Sequence, residues 1–184
     1  LTRRRPGQSE VTTPRDEKDR VEALSGVFRG QTTGAPIAMA IINRDHDSSK
    51  YEGIKDLFRP GHADFTYYRK YGVRDYRGGG RSSGRETAGR VMGGAFALQE
   101  LARRGVRIVA HAVEIAGVAA QTCDYDTIES NPVRCADPEA AERMVQAILA
   151  AKDDDDSVGG VIQLDIQGVP VGLGDPVFQK IDAK

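Results

Sequence analysis

Cysteine is scarce in this chain. Cys123 and Cys135 are the only two, with neither a CxxC spacing nor a histidine partner pattern around them. That argues against a disulfide framework and against a metal centre, and it makes a reducing, cytoplasmic setting the expectation. Long apolar runs are missing too: none approaches the roughly 18 residues that a bilayer-spanning helix needs, so no membrane protein is expected. Net charge is almost absent, with 26 Lys and Arg against 27 Asp and Glu. No global basic field is therefore available to drive nonspecific nucleic-acid binding, and any cationic function has to be local. The opening stretch LTRRRPGQSE lacks the apolar segment of a signal peptide. No P-loop, no G-x-G-x-x-G in strand context, no carboxylate pair, no heptad pattern and no internal repeat occurs.

What is present fits one soluble domain spanning 1–184, since 184 residues with 39% hydrophobic and 29% charged composition suffice for one well-buried core. Residues 20–30 and 36–43 read as two strands joined by the turn QTTGA, the second apolar enough to be buried. Residues 44–82 read as a long functional loop region with one short helix near Tyr51–Leu57. A helix is expected from Ser83 to Arg104, with Ser83 and Glu86 at capping-box spacing. The pair Gly93-Gly94 in its middle implies that another element packs closely there. The run VRIVAHAVEIAGVAA reads as a strand, Asp137-Pro138 as the cap and first position of a helix to about Ala151, and SVGGVIQLDIQGVPVG as a returning strand. The alternation predicts an α+β fold, a layered β-α-β sandwich with antiparallel sheets around central helices.

The chemistry concentrates in RDYRGGGRSSGRE, residues 74–86. Three glycines leave the backbone open to close approach, and the following helix start presents unpaired N–H groups among Arg77, Arg81 and Arg85. The stretch reads as an anion site; the alternatives are an exposed hairpin tip or an RNA-binding tract. Arginines also stand at Arg3, Arg4 and Arg5 and at Arg59, and Arg74 joins Arg77, Arg81 and Arg85 in a third group. Guanidinium forks suit carboxylates and phosphates, so several groups imply a ligand with several anionic ends. Of the three histidines, His46 and His111 read as solvated or structural. His62 follows a Pro-Gly turn with Arg59 and Asp64 nearby and is the candidate acid/base. Tyr67, Tyr68, Tyr71 and Tyr76 suit either stacking on a planar ligand or packing under a loop.

Taken in order, RRRPGQS, LSGVFRGQTTGAPI, FRPGHADFTYYRKYGVRDYRGGGRSSGRETAGRV and GVPVGLGDPVFQKIDA resemble chorismate synthase over nearly the whole chain. The resemblance implies loss of phosphate and a ring proton from 5-enolpyruvylshikimate-3-phosphate to give chorismate, with reduced FMN required. It implies a homotetramer, no nucleic-acid partner, and either NADPH or an external flavin reductase as the source of electrons. By motif, it carries a proton-handling role to His62, FMN contacts to Arg81, Ser82 and Ser83, and substrate or NADP phosphate binding to Arg4 and Arg85. Several family members have a basic residue where this chain has Glu10, so no cationic contact carries over there. Family chains are roughly twice as long and include a GESHG element and a C-terminal half not in this sequence, so a core portion is expected. The rival reading is a noncatalytic core that binds anions or RNA through RDYRGGGR.

Overall fold

The computed structural model describes residues 1–13, 19–43 and 47–174. His46 and the segment 175–184 of the last quoted motif lie outside the described residues. The fold is α+β as expected, and all pairings between its strands are antiparallel. Internal contacts divide the chain into two compact units, Leu1–Phe96 and Ala97–Lys184.

In the first unit, β1 (Val21–Ser25) pairs with β4 (Ala38–Ile41) in the register Val21↔Ile41. Between them lies a smaller ladder, β2 (Val27–Phe28) with β3 (Gln31–Thr32). The expected single strand over 20–30 is therefore broken. Gly26 adopts φ +77°, and a Cβ there would lie 2.7 Å from the carbonyl oxygen of Pro36, which only glycine avoids. The tight turn is at Arg29-Gly30, with φ 48° and 77°, rather than at QTTGA. Two consecutive positive φ values are those of a type I′ turn, whose twist matches a hairpin. β4 is only half-buried at its last three residues and exposed at its first, so its apolar composition overstated its burial.

A 3₁₀ helix at Ser48–Ile54 follows, capped by Asp47, whose side chain accepts from the Ser49 N–H. It starts a turn earlier than the expected helix. Helix α1 (Asp64–Tyr71) was not foreseen; it ends at Gly72, in the left-handed region with φ 74°. Ser83 does act as a cap, its side chain accepting from Arg85 N–H, but the turn it starts is 3₁₀ over Gly84–Glu86. Helix α2 then runs Thr87–Arg103. The Glu86 carboxylate pairs with Arg81 at 3.3 Å. The Ser83 amide donates to the Gly80 carbonyl instead of to Glu86, so the capping box is half-formed. A Cβ added at Gly93 or Gly94 would meet nothing within 4 Å, which corrects the expectation of close packing there.

In the second unit, the run read as one strand is a hairpin. β5 (Arg107–Ile115) turns at Ala116-Gly117, φ 54° and 78°, into β6 (Val118–Ala119). β7 (Gly160–Gln167) pairs along the other side of β5, from Arg107↔Gln167 to Ile115↔Gly160, giving the order β6-β5-β7. Helix α3 (Pro138–Asp153) begins as read, with Asp137 accepting from Ala140 N–H and Pro138 at its first position. Its Ala140, Ala141 and Met144 are buried with Val106, Ala112, Ile128, Val133, Cys135 and Ala136. One face of this core is sealed; β7 leaves Val161, Ile162, Leu164 and Ile166 at least half exposed.

Candidate functional site

The glycine-rich loop owes its shape to a local hydrogen-bond ladder. Gly79 N–H donates to the Asp75 carbonyl at 3.0 Å, and Ser82 N–H donates to the Gly79 carbonyl at 2.9 Å. Gly79 has φ +97°, and a Cβ on it would stand 2.8 Å from His62 Cε1 and 3.0 Å from Arg59 Nη2. The close approach that the glycines permit is thus made first by His62 of the same chain. Gly80, at φ +50°, lies somewhat less tightly over Asp75, where a Cβ would stand 3.2 Å from the Asp75 Cβ.

His62 is held by its neighbours in RPGHAD. The Asp64 N–H donates to Nδ1 at 3.2 Å, and Arg59 Nη2 lies 3.1 Å from Nδ1 and 2.9 Å from Nε2. The Asp64 carboxylate stands 3.5 Å from Nδ1. The ring therefore has hydrogen-bond donors for its neutral form and a counter-ion for its protonated form. Asp64 itself is 1% exposed. It accepts from the N–H groups of Arg59 and Phe65 and from Arg74 Nη1 at 3.0 Å. Burial by itself would raise its carboxyl, but the Arg59 N–H, the His62 charge, the Phe65 N–H and the Arg59 guanidinium together hold it below the ordinary carboxylate range. Arg74 also donates to the Lys55 carbonyl and covers the Phe58 ring at 4.7 Å.

Beside this cluster, still within the first unit, an open cleft of ≈ 1340 Å³ is lined by Arg3, Arg4, Arg5, Lys50, Arg77 and Arg85. Asp47, Asp75 and Glu86 are the acids on its wall, and Ser83 and Thr87 contribute hydroxyls. Six cations against three acids make it a local basic site in a chain of nearly balanced charge. Arg4 is fixed on several sides. Its Nη1 donates to Asp19 at 3.3 Å, its Nε and Nη2 donate to Thr87 Oγ1, and Nη2 reaches the Gly84 carbonyl.

The structure brings some expected site residues together and separates others. Arg4, Ser83 and Arg85 share the cleft, whereas His62, Arg81 and Ser82 do not line it. Ser82 spends its hydroxyl proton on the Gly79 carbonyl at 2.6 Å, and the Arg81 side chain is 80% exposed. The tyrosines pack on neighbours: Tyr67 on Tyr71, Tyr68 on Phe58, and Tyr76 through its hydroxyl on Glu52, which pushes its own proton loss upward. His111 is buried in β5 with Nε2 3.4 Å from Asp165, whose carboxylate also accepts the Tyr125 hydroxyl at 2.7 Å. That bond raises the Tyr125 hydroxyl to about 12. Asp19 was missed by sequence reading. It sits in the charged run RDEKDR, where nothing marks one acid as buried.

Residues 1–184 match the family model for chorismate synthase. A chorismate synthase of Methanosarcina mazei is 54% identical over 187 residues, covering 100% of this chain and 51% of that protein. One of Methanopyrus kandleri is 54% identical over 196 residues, with the same coverage, and one of Desulfatibacillum aliphaticivorans is 50% identical over 184. A solved structure described as a crystal structure of chorismate synthase matches with a TM-score of 0.66 at 32% identity, covering 86% of this chain and 47% of that one. The chain thus spans about half the length of the curated relatives it matches.

Proposed function

Because the chain belongs to the chorismate synthase family, we propose that the protein it forms part of is a lyase of the shikimate pathway. It eliminates phosphate from 5-enolpyruvylshikimate-3-phosphate to give chorismate. Residues 1–184 are the core portion of a chain about twice as long. The observation that carries the reading is the basic cleft beside the His62 cluster: six cationic side chains suit a substrate with two carboxylates and a phosphate, and a cofactor with a phosphate of its own. The donor set also fits an FMN phosphate, with Ser83 and the arginines as its holders. Reduced FMN, when bound, supplies electron density to the substrate as phosphate leaves.

This chain's own residues hold and orient. Arg4 and Arg85 bind anionic groups before reaction, at a wall already shaped by Thr87 and Gly84. His62 holds or gives up a proton at its ring nitrogens, steadied by the Asp64 amide and carboxylate. Arg81 and Ser82 act at the loop that backs His62. Tetrameric assembly, a cytoplasmic location, and electrons from NADPH or an outside reductase rest on the family likeness alone. No helix among the described residues is long and apolar enough to cross a membrane.

The test is anaerobic turnover of 5-enolpyruvylshikimate-3-phosphate by the full-length protein with reduced FMN. His62→Ala should slow the single-turnover rate by about 10- to 10,000-fold while changing ligand affinity far less. Ser83→Ala should weaken FMN binding by about 10-fold, and Arg81→Ala, outside the cleft wall, by less. A His62 variant with normal rate, or one slowed only because it no longer binds, removes that residue from the mechanism. Saturable RNA binding without any flavin effect would favour the noncatalytic rival.

A further inference from the structure

We propose that Asp19 is a positioning residue for the basic cleft: its buried carboxylate fixes the guanidinium forks of Arg4 and Arg85 so that both face one phosphoryl group. The proposal rests on the anionic-ligand reading of the cleft given above. Asp19 does not line the cleft, but both arginines do. Its side chain is 0% exposed; Oδ1 accepts from Arg85 Nη2 at 2.7 Å and Oδ2 accepts from Arg4 Nη1 at 3.3 Å. Two cations far apart in sequence thus meet on one anion behind the ligand-facing wall. Without it, the two guanidinium groups would repel each other and regain the rotamer freedom of long side chains. Asp19 holds this place with φ 40°, a left-handed conformation that aspartate and asparagine tolerate better than other side chains.

Charge and positioning predict opposite outcomes for Asp19→Asn, which keeps the shape, one acceptor and the backbone tolerance. By charge alone, removing a carboxylate from behind a cationic cleft tightens anion binding. If Asp19 positions, binding weakens because the forks no longer converge. Inorganic phosphate is titrated calorimetrically into the full-length protein, with thermal melting of each variant alongside. The expected result is a Kd raised by about 10-fold in Asp19→Asn, the size of one lost charge-assisted contact. That effect should disappear in an Arg4→Gln, Arg85→Gln background, because a residue acting through its neighbours adds nothing once they are gone. Equal or tighter phosphate binding by Asp19→Asn overturns the proposal. So does a loss that persists undiminished without the arginines. If Asp19→Asn does not fold, Arg85→Lys, which keeps the charge but not the fork that Asp19 holds, should raise Kd by about 3- to 10-fold; an unchanged Kd there overturns the idea. Absence of any phosphate binding by the unmodified protein fells the cleft reading itself, and the proposal with it. Repeating the titration with the flavin nucleotide or the phosphorylated substrate at saturation identifies whose phosphoryl group occupies the place. Phosphate binding that survives both excludes either and overturns the assignment.

Discussion

Residues 1–96 and 97–174 solve the burial problem in opposite ways. Among the described residues, the first unit buries two carboxylates, Asp19 and Asp64, and a single apolar side chain, Ala88. The second buries nine apolar residues, led by Met144 at 0% exposure, with Asp137 and His111 as its buried polar groups. Where the second unit excludes water with methyl and methylene groups, the first converges arginines on carboxylates. Ion pairs of that kind are directional and cost desolvation, so they give little stability for their burial. They do fix the direction of cationic side chains, which is what an anion site needs. The unit that holds the cleft has exchanged core for preorganised charge.

The sharpest way to break this contrast is a pair of truncations read at two salt concentrations. Met144→Ala should cost about 2–5 kcal/mol, a cavity effect that does not depend on salt. Asp64→Ala should cost about 2–4 kcal/mol, somewhat below a fully buried pair because Arg59 and Arg74 retain some exposure. At about 1 M salt, where screening acts within about 3 Å, the Asp64 deficit should shrink and that of Met144 should not. Denaturant midpoints decide it; equal salt responses would show that the two units are held alike.

A smaller effect is expected at the loop. Gly79→Ala places a methyl group against His62 at a φ that alanine resists, and should destabilise by about 1–2 kcal/mol while displacing the imidazole. The histidine's NMR shift reports the displacement; an unmoved ring would mean that the loop yields instead. A last effect concerns acid. Asp137 has its carboxyl lowered from 3.8 to about 2, chiefly by the Gln121 N–H and then by that of Ala140, with burial opposing. Between those values the unfolded chain binds more protons, so stability rises with pH. The contribution is complete above about pH 4 and is lost as pH falls through about 2. Asp137→Asn should flatten the stability profile across that window, and a profile of unchanged slope would contradict the assignment.

How far the sequence was legible follows the same division. Local rules were enough where one residue type sets one geometry: the Asp137-Pro138 helix start, the Ser83 cap and the β1–β4 pairing were readable. The hairpin at Ala116-Gly117 was not, because a single glycine inside an apolar run gives no strong turn signal and Ala116 takes a positive φ against its preference. Helix α1 was hidden by its polar and aromatic composition, which lacks an apolar stripe. Residue types placed the candidate site at RPGHAD and the glycine loop. They could not reveal that Asp19 joins Arg4 and Arg85, since that contact depends on residues 15 and 66 positions away.

The register of β5 against β7 also has a bearing on how quickly the chain reaches its native state. Ile115 pairs with Gly160, so the entire segment 116–159, including β6 and α3, must be closed into a loop before the ladder can zip. Loop closure of that length is entropically unfavourable until the intervening chain is compact. Helix α3, nucleated locally by its aspartate cap and proline, is the element able to shorten that search. Refolding should therefore slow when the cap is removed, whereas trimming Ile162 or Leu164 on β7 should mainly hasten unfolding. Stopped-flow folding arms that respond the other way round would place β7 in the nucleus and make α3 a late arrival.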